Sequence, residues 1–118
     1  QNRYCIENRA ADMTMNVYLA FSMTIAAAVE GIKMKIHPGK PTDQDLYNMT
    51  DKEFKKLGIK RLPRNLLMAL EALKNDKLSD EVIGLVMKKS LLAYKNDEWE
   101  RYHQAVTDWE VKEYLRLY

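Results

Sequence analysis

The stretch Val17-Tyr-Leu-Ala-Phe-Ser-Met-Thr-Ile-Ala-Ala-Ala-Val29 is apolar except at Ser22 and Thr24, and its reading decides how the rest of the chain is placed. Its 13 residues fall short of the roughly 20 that span a bilayer, so it predicts a buried helix running to about Met34. A helix apolar on every face must be surrounded, and a domain of 118 residues struggles to supply all the neighbours. Missing partner surface is therefore the first expectation.

On the N-terminal side, Asn16 is placed to cap this helix, and a short loop holding Asp12 precedes it. From Arg3 to Arg9 the side chains alternate, with Tyr4, Ile6 and Asn8 on one side and Cys5, Glu7 and Arg9 on the other, which predicts a strand. A strand needs backbone partners, so this one is expected to belong to a sheet whose other strands lie outside the chain. The opening Gln-Asn-Arg-Tyr-Cys5 has no initiator Met and no signal-peptide pattern, and reads as cut from something longer.

On the C-terminal side, His37-Pro-Gly-Lys-Pro41 must break the helix, and the polar run to Asn48, with Leu46 and Tyr47 the apolar exceptions, reads as an exposed loop or helical turn. Thr50-Asp-Lys-Glu53 is a capping box for a short helix that Gly58 can close. Pro63 starts another, carrying Leu66, Leu67, Leu70 and Leu73 until Asn75 and Asp76 end it. From Ser79 or Asp80, Val82, Ile83, Val86, Met87, Leu91 and Tyr94 keep one helical period toward His103, predicting a single long surface helix. Thr107-Asp-Trp-Glu110 opens a terminal helix with Val111, Tyr114, Leu115 and Tyr118 on its apolar face. The fold class expected is mainly α: one N-terminal strand followed by five or six helices, residues 1–12 forming strand and loop and 13–118 the helical region.

Composition narrows the chemistry. At 47% hydrophobic residues a single core is feasible, and a net charge of +2, interspersed along the chain, predicts no nucleic acid and no membrane as partner. One cysteine, Cys5, excludes an intrachain disulfide and a multi-thiolate zinc site, and fits a cytoplasmic location. Gly31, Gly39, Gly58 and Gly84 are isolated, so no Gly-rich phosphate cradle exists, and His37 and His103 lack partners at metal-ligand spacing. Trp99, Tyr102, Trp109 and Tyr114 lie among acidic residues and read as helix packing rather than a base-stacking surface.

Glu7 and Arg9 share a face of the predicted strand, about 7 Å apart along it. A carboxylate beside a guanidinium suits a divalent cation and a phosphate, since Mg²⁺ takes hard oxygen ligands and the Arg fork neutralises phosphoryl or carboxylate oxygens. A structural salt bridge accounts equally for the spacing and is the commoner case. A metal site also needs further carboxylates, of which Asp12 is the nearest.

Several separated motifs then coincide. Ile6-Glu-Asn-Arg9, Asp12 followed by Asn16-Val-Tyr-Leu-Ala20, and Gly31-Ile-Lys-Met-Lys-Ile-His-Pro-Gly39 resemble, in order and spacing, motifs of the class I glutamine synthetases and their γ-glutamylamide-forming relatives. Asp45-Leu-Tyr47, Leu57-Gly-Ile59, Leu62-Pro63, Ala69-Leu-Glu-Ala-Leu73, Glu98-Trp99, Trp109-Glu110 and Tyr114-Leu115 continue the resemblance over essentially the whole chain. It implies the C-terminal portion of an α+β catalytic domain whose parent phosphorylates the γ-carboxylate of glutamate with ATP and lets ammonia, or methylamine or another amine, displace the phosphate. A non-catalytic helical module derived from such an enzyme is the alternative from another class.

By the same resemblance Glu7 matches a ligand of Mg²⁺ or Mn²⁺, and Arg9 a catalytic and substrate-binding arginine that steadies the glutamyl carboxylate and the phosphoryl group. Tyr47 falls where some bacterial members carry a tyrosine that is adenylylated. The resemblance further implies a homo-oligomeric ring for the parent and an inactive fragment. Cys5 departs from it, standing where most members have an arginine on the nucleotide phosphate, and Val17 replaces a proline after Asn16. Losing such an arginine removes about 1.5–3 kcal/mol of charge-assisted contact, for which Arg3, two residues earlier on the same face, is the candidate substitute.

Overall fold

The computed structural model describes residues 4–117 and is helical. Six helices follow one another among the described residues: α1 (Val17–Lys33), α2 (Asp51–Lys56), α3 (Leu66–Asn75), α4 (Lys77–Val82), α5 (Leu85–Gln104) and α6 (Asp108–Tyr114). α3 packs on α5, α4 joins α5, and α1 lies against α4.

Local chemistry sets most of the helix ends. The Asn16 side chain accepts from Tyr18 N and Leu19 N at 3.0 and 3.1 Å, satisfying two of the four free amides at the start of α1. The predicted boxes both form: Thr50 N and Oγ1 donate to the Glu53 carboxylate at 2.7 Å, and Thr107 N and Oγ1 donate to Glu110 at 2.7 and 2.8 Å. Gly58 closes α2 with φ +68°, its N–H on Lys55 O and the Ile59 N–H on Phe54 O, the paired bonds of a Schellman end. α1 ends the same way but earlier than its Pro-Gly signal, with Lys35 holding the left-handed position at φ +51° and Ile36 N bonded to Gly31 O.

Four expectations are corrected. Residues 4–9 form no strand: their backbone has no ladder to join within the described residues, and Arg3 lies outside them. α3 begins at Leu66 rather than Pro63, because the Asn65 side chain accepts from Met68 N at 2.9 Å and fixes the start there. The single helix from Ser79 to His103 is two. Gly84, at φ +76° and ψ 151°, interrupts it in a conformation essentially reserved for glycine, and Asp76 rather than Ser79 or Asp80 caps α4. Finally, α1 is not buried, having no buried residue at all.

That last point extends to the whole chain. Phe54 and Leu70 are the buried apolar residues among those described. The accessible surface is 11605 Å² and the radius of gyration 18.8 Å. A compact monomer of 13.8 kDa would expose about 6,600 Å² with a radius near 13.5 Å. The chain thus shows about 5,000 Å² more surface than its mass warrants.

Candidate functional site

Glu7 and Arg9 are brought together. Arg9 Nε donates to Glu7 Oε1 at 2.8 Å, with side chains 85% and 70% exposed, on a segment without regular structure. An ion pair this open is worth little by itself. Cys5 is exposed beside them. Arg3, the candidate phosphate contact, lies outside the described residues.

Asp12 is engaged with its own loop. Its carboxylate accepts from Thr14 Oγ1 at 2.6 Å and from Thr14 N at 2.7 Å. The hydroxyl bond first and the amide second favour the charged form, holding this carboxyl below its ordinary value. Among the described residues no three His, Cys, Asp or Glu side chains converge on a point where a cation could sit. Glu7 therefore offers one hard oxygen ligand, fit for a single position of a Mg²⁺ or Mn²⁺ site, and a whole site would need ligands from elsewhere.

Tyr47 is 99% exposed, so it packs on neither Leu46 nor Met49. Its position is set by backbone: Tyr47 N donates to Asp45 Oδ1 at 3.0 Å and Asn48 Nδ2 to Asp45 Oδ2 at 3.0 Å, making a turn with the phenol at the tip. His37 accepts from Gly39 N at 3.0 Å, and His103 stacks on Trp99 with ring centroids 3.8 Å apart. Both act in local structure.

Two features had escaped the sequence. The first is Lys88, buried with its ammonium donating to Asp76 O at 2.7 Å and to Asp80 Oδ1 at 2.6 Å, while Ser79 Oγ donates to the same Asp76 carbonyl at 2.7 Å. This clamp ties α4 to α5 across the Gly84 break. Nothing in sequence separates Lys88 from its neighbour Lys89. The second is an open groove of about 870 Å³ between α1, α3 and α5, lined by Leu19, Met23, Leu66, Leu73 and Leu91, with Asp12 and the Lys95–Glu98 pair, 2.6 Å apart, at polar positions. Its apolar lining and openness suit a packing partner better than a small polar substrate.

The fold and site together define a loosely packed helical chain with one exposed Glu7–Arg9 ion pair and, among the described residues, no assembled metal site. The family model described as "Glutamine synthetase, catalytic domain" matches residues 1–114. The chain belongs to the glutamine synthetase catalytic-domain family. It is 37% identical over 112 residues to a glutamine synthetase of Methanococcus maripaludis, covering 95% of this chain and 25% of the relative. A glutamine synthetase of Methanocaldococcus jannaschii is 39% identical over 110 residues, 93% of this chain and 24% of the relative. A glutamate–methylamine ligase of Methyloversatilis universalis is 37% identical over 113 residues, 96% and 25%. The chain spans about a quarter of the length of these curated relatives.

Proposed function

We propose that this chain is the C-terminal portion of an ATP-dependent ligase that joins ammonia to the γ-carboxylate of glutamate through γ-glutamyl phosphate. The carrying observation is the family match over residues 1–114, a range that includes Glu7 and Arg9, which lie 2.8 Å apart. In the parent, Arg9 binds the glutamyl carboxylate and the transferring phosphoryl oxygens, a task its two-pronged donor geometry suits. Glu7 gives one carboxylate oxygen to Mg²⁺ or Mn²⁺, which when bound neutralises charge on the ATP phosphates. The remaining metal ligands and the nucleotide site lie outside these residues. Arg3 stands in for the phosphate contact that Cys5 cannot make.

Methylamine as acceptor is the second reading, favoured by the methylamine ligase among the relatives, at 37% identity. The proposed parent is a cytoplasmic, ring-shaped homo-oligomer, and Tyr47, at the tip of an open turn, is its candidate for adenylylation. Assaying the parent for amine-dependent phosphate release from ATP and glutamate separates the readings. Ammonia as the preferred acceptor supports glutamine synthesis, preference for methylamine supports the second reading, and the absence of turnover with every amine leaves a non-catalytic helical module. The isolated chain is expected to bind ATP negligibly; micromolar binding by calorimetry would overturn that part.

A further inference from the structure

Among the described residues, 4–9 make no backbone hydrogen bond to another element, so the connector over residues 8–16 aims Glu7 and Arg9 relative to the helices. One bonding pattern recurs along it at every fourth residue. Asn8 Oδ1 accepts from Ala10 N at 3.0 Å, Asp12 Oδ1 from Thr14 N at 2.7 Å, and Asn16 Oδ1 from Tyr18 N at 3.0 Å. In each, a short polar side chain holds the amide two residues on, which fixes a turn and limits how the backbone can re-aim.

The middle link carries the most bonds. Thr14 Oγ1 adds a second donor to the same Asp12 oxygen at 2.6 Å, and Met15 N closes on Asp12 O at 3.2 Å. The Thr14 bonds favour the charged carboxylate, and the Lys95 ammonium of α5 adds to them. Asp12, Thr14 and Asn16 line the same groove as Asn65, the cap of α3, and Lys95 and Glu98 of α5. The connector therefore meets the helical body at Asp12. Arg9 is three residues away, within about 10 Å of chain. What Asp12 does for its loop needs an acceptor oxygen and no metal.

We propose that Asp12 is a positioning residue: its carboxylate fixes the connector that presents Arg9 and Glu7 to the reacting groups, and it touches neither substrate nor metal. The proposal rests on the ligase reading for what Arg9 holds. The test compares Asp12→Ala with Asp12→Asn in the full-length parent, by ammonia-dependent phosphate release and by hydrogen exchange over residues 8–16. Asn keeps an acceptor for the Thr14 amide and hydroxyl, and Ala keeps none. A misplacement of about 1 Å costs roughly 10²-fold, so Asp12→Ala should lower kcat by about 10- to 100-fold and leave the KM for ATP little changed. The connector amides should also exchange faster in that variant. Asp12→Asn should recover both, with kcat within a few-fold of the parent's. Equal losses in the two variants, with a raised Mg²⁺ or Mn²⁺ requirement, would overturn the proposal in favour of a metal ligand. Parental kcat in Asp12→Ala would overturn it in favour of a merely structural turn, whatever the melting temperature does. Should the unsubstituted parent turn over no amine, the ligase reading fails separately and exchange decides the rest: faster in Ala than in Asn keeps Asp12 as the holder of the connector, and equal rates remove it.

Discussion

Replacing Gly84 by alanine is expected to destabilise the α4–α5 junction, and the sign of the effect is the informative part. At φ +76° and ψ 151°, Gly84 occupies a region that L-residues enter at a cost of about 1–3 kcal/mol. A Cβ placed there meets nothing within 4 Å, so no clash adds to or masks the backbone cost. The unbroken apolar period from Val82 to Tyr94 argues the reverse: in one continuous helix, Gly84→Ala would stabilise by about 1 kcal/mol. Gly31→Ala is the internal control, since Gly31 lies within α1, also with nothing within 4 Å of an added Cβ, and should gain about 1 kcal/mol. Urea titrations followed by helix ellipticity should move the midpoint down for Gly84→Ala, by roughly 1 M for a typical denaturant slope, and up for Gly31→Ala. A midpoint that rises for Gly84→Ala would refute the broken-helix geometry.

Lys88→Met keeps the aliphatic stem but removes an ammonium bonded at 2.7 and 2.6 Å; Asp80 is open enough to rehydrate, so the cost is about 1.5–3 kcal/mol. Hydrogen exchange of the α4 and first-turn α5 amides should accelerate roughly 10- to 150-fold, and an unchanged rate would show the clamp to be inert. Acid should weaken the two boxed helix starts. The Thr50 hydroxyl and amide hold Glu53, and the Thr107 amide and hydroxyl hold Glu110, below the ordinary 4.5. Because both values are depressed in the folded state, their stabilisation is complete above pH 4.5 and is lost as pH falls through the lower folded-state values. The double variant Glu53→Gln, Glu110→Gln, which keeps hydrogen-bonding capacity without the titration, should flatten the acid limb of helicity; an identical acid limb would place the pH dependence elsewhere.

The sequence was most legible where structure is set by contacts within a few residues. Asn16, the Thr50–Glu53 and Thr107–Glu110 boxes and Gly58 all act over one turn, and all stand where their residue types placed them. Gly84 was missed because the apolar period runs in phase through it, and a pattern of side chains does not report φ. Lys88 was missed because its burial depends on Asp76 and Asp80 across that break, eight to twelve positions away. The expected strand and the expected burial of α1 share one cause. Both depend on neighbours beyond a single turn, and among the described residues, 4–9 find no ladder and α1 no covering surface. The Glu7–Arg9 pair was visible as a spacing and is now a contact, but the two readings of that spacing differ only in what else approaches it.

The most direct test of the central claim is the ammonia-dependent phosphate release of the full-length parent with Arg9→Gln. Removing a fork that holds charge developing during transfer should lower kcat by roughly 10²- to 10³-fold while the open Arg9–Glu7 pair, worth little to stability, leaves the fold intact. A variant that turns over at the parent's rate would contradict the assignment of ligase chemistry to this segment.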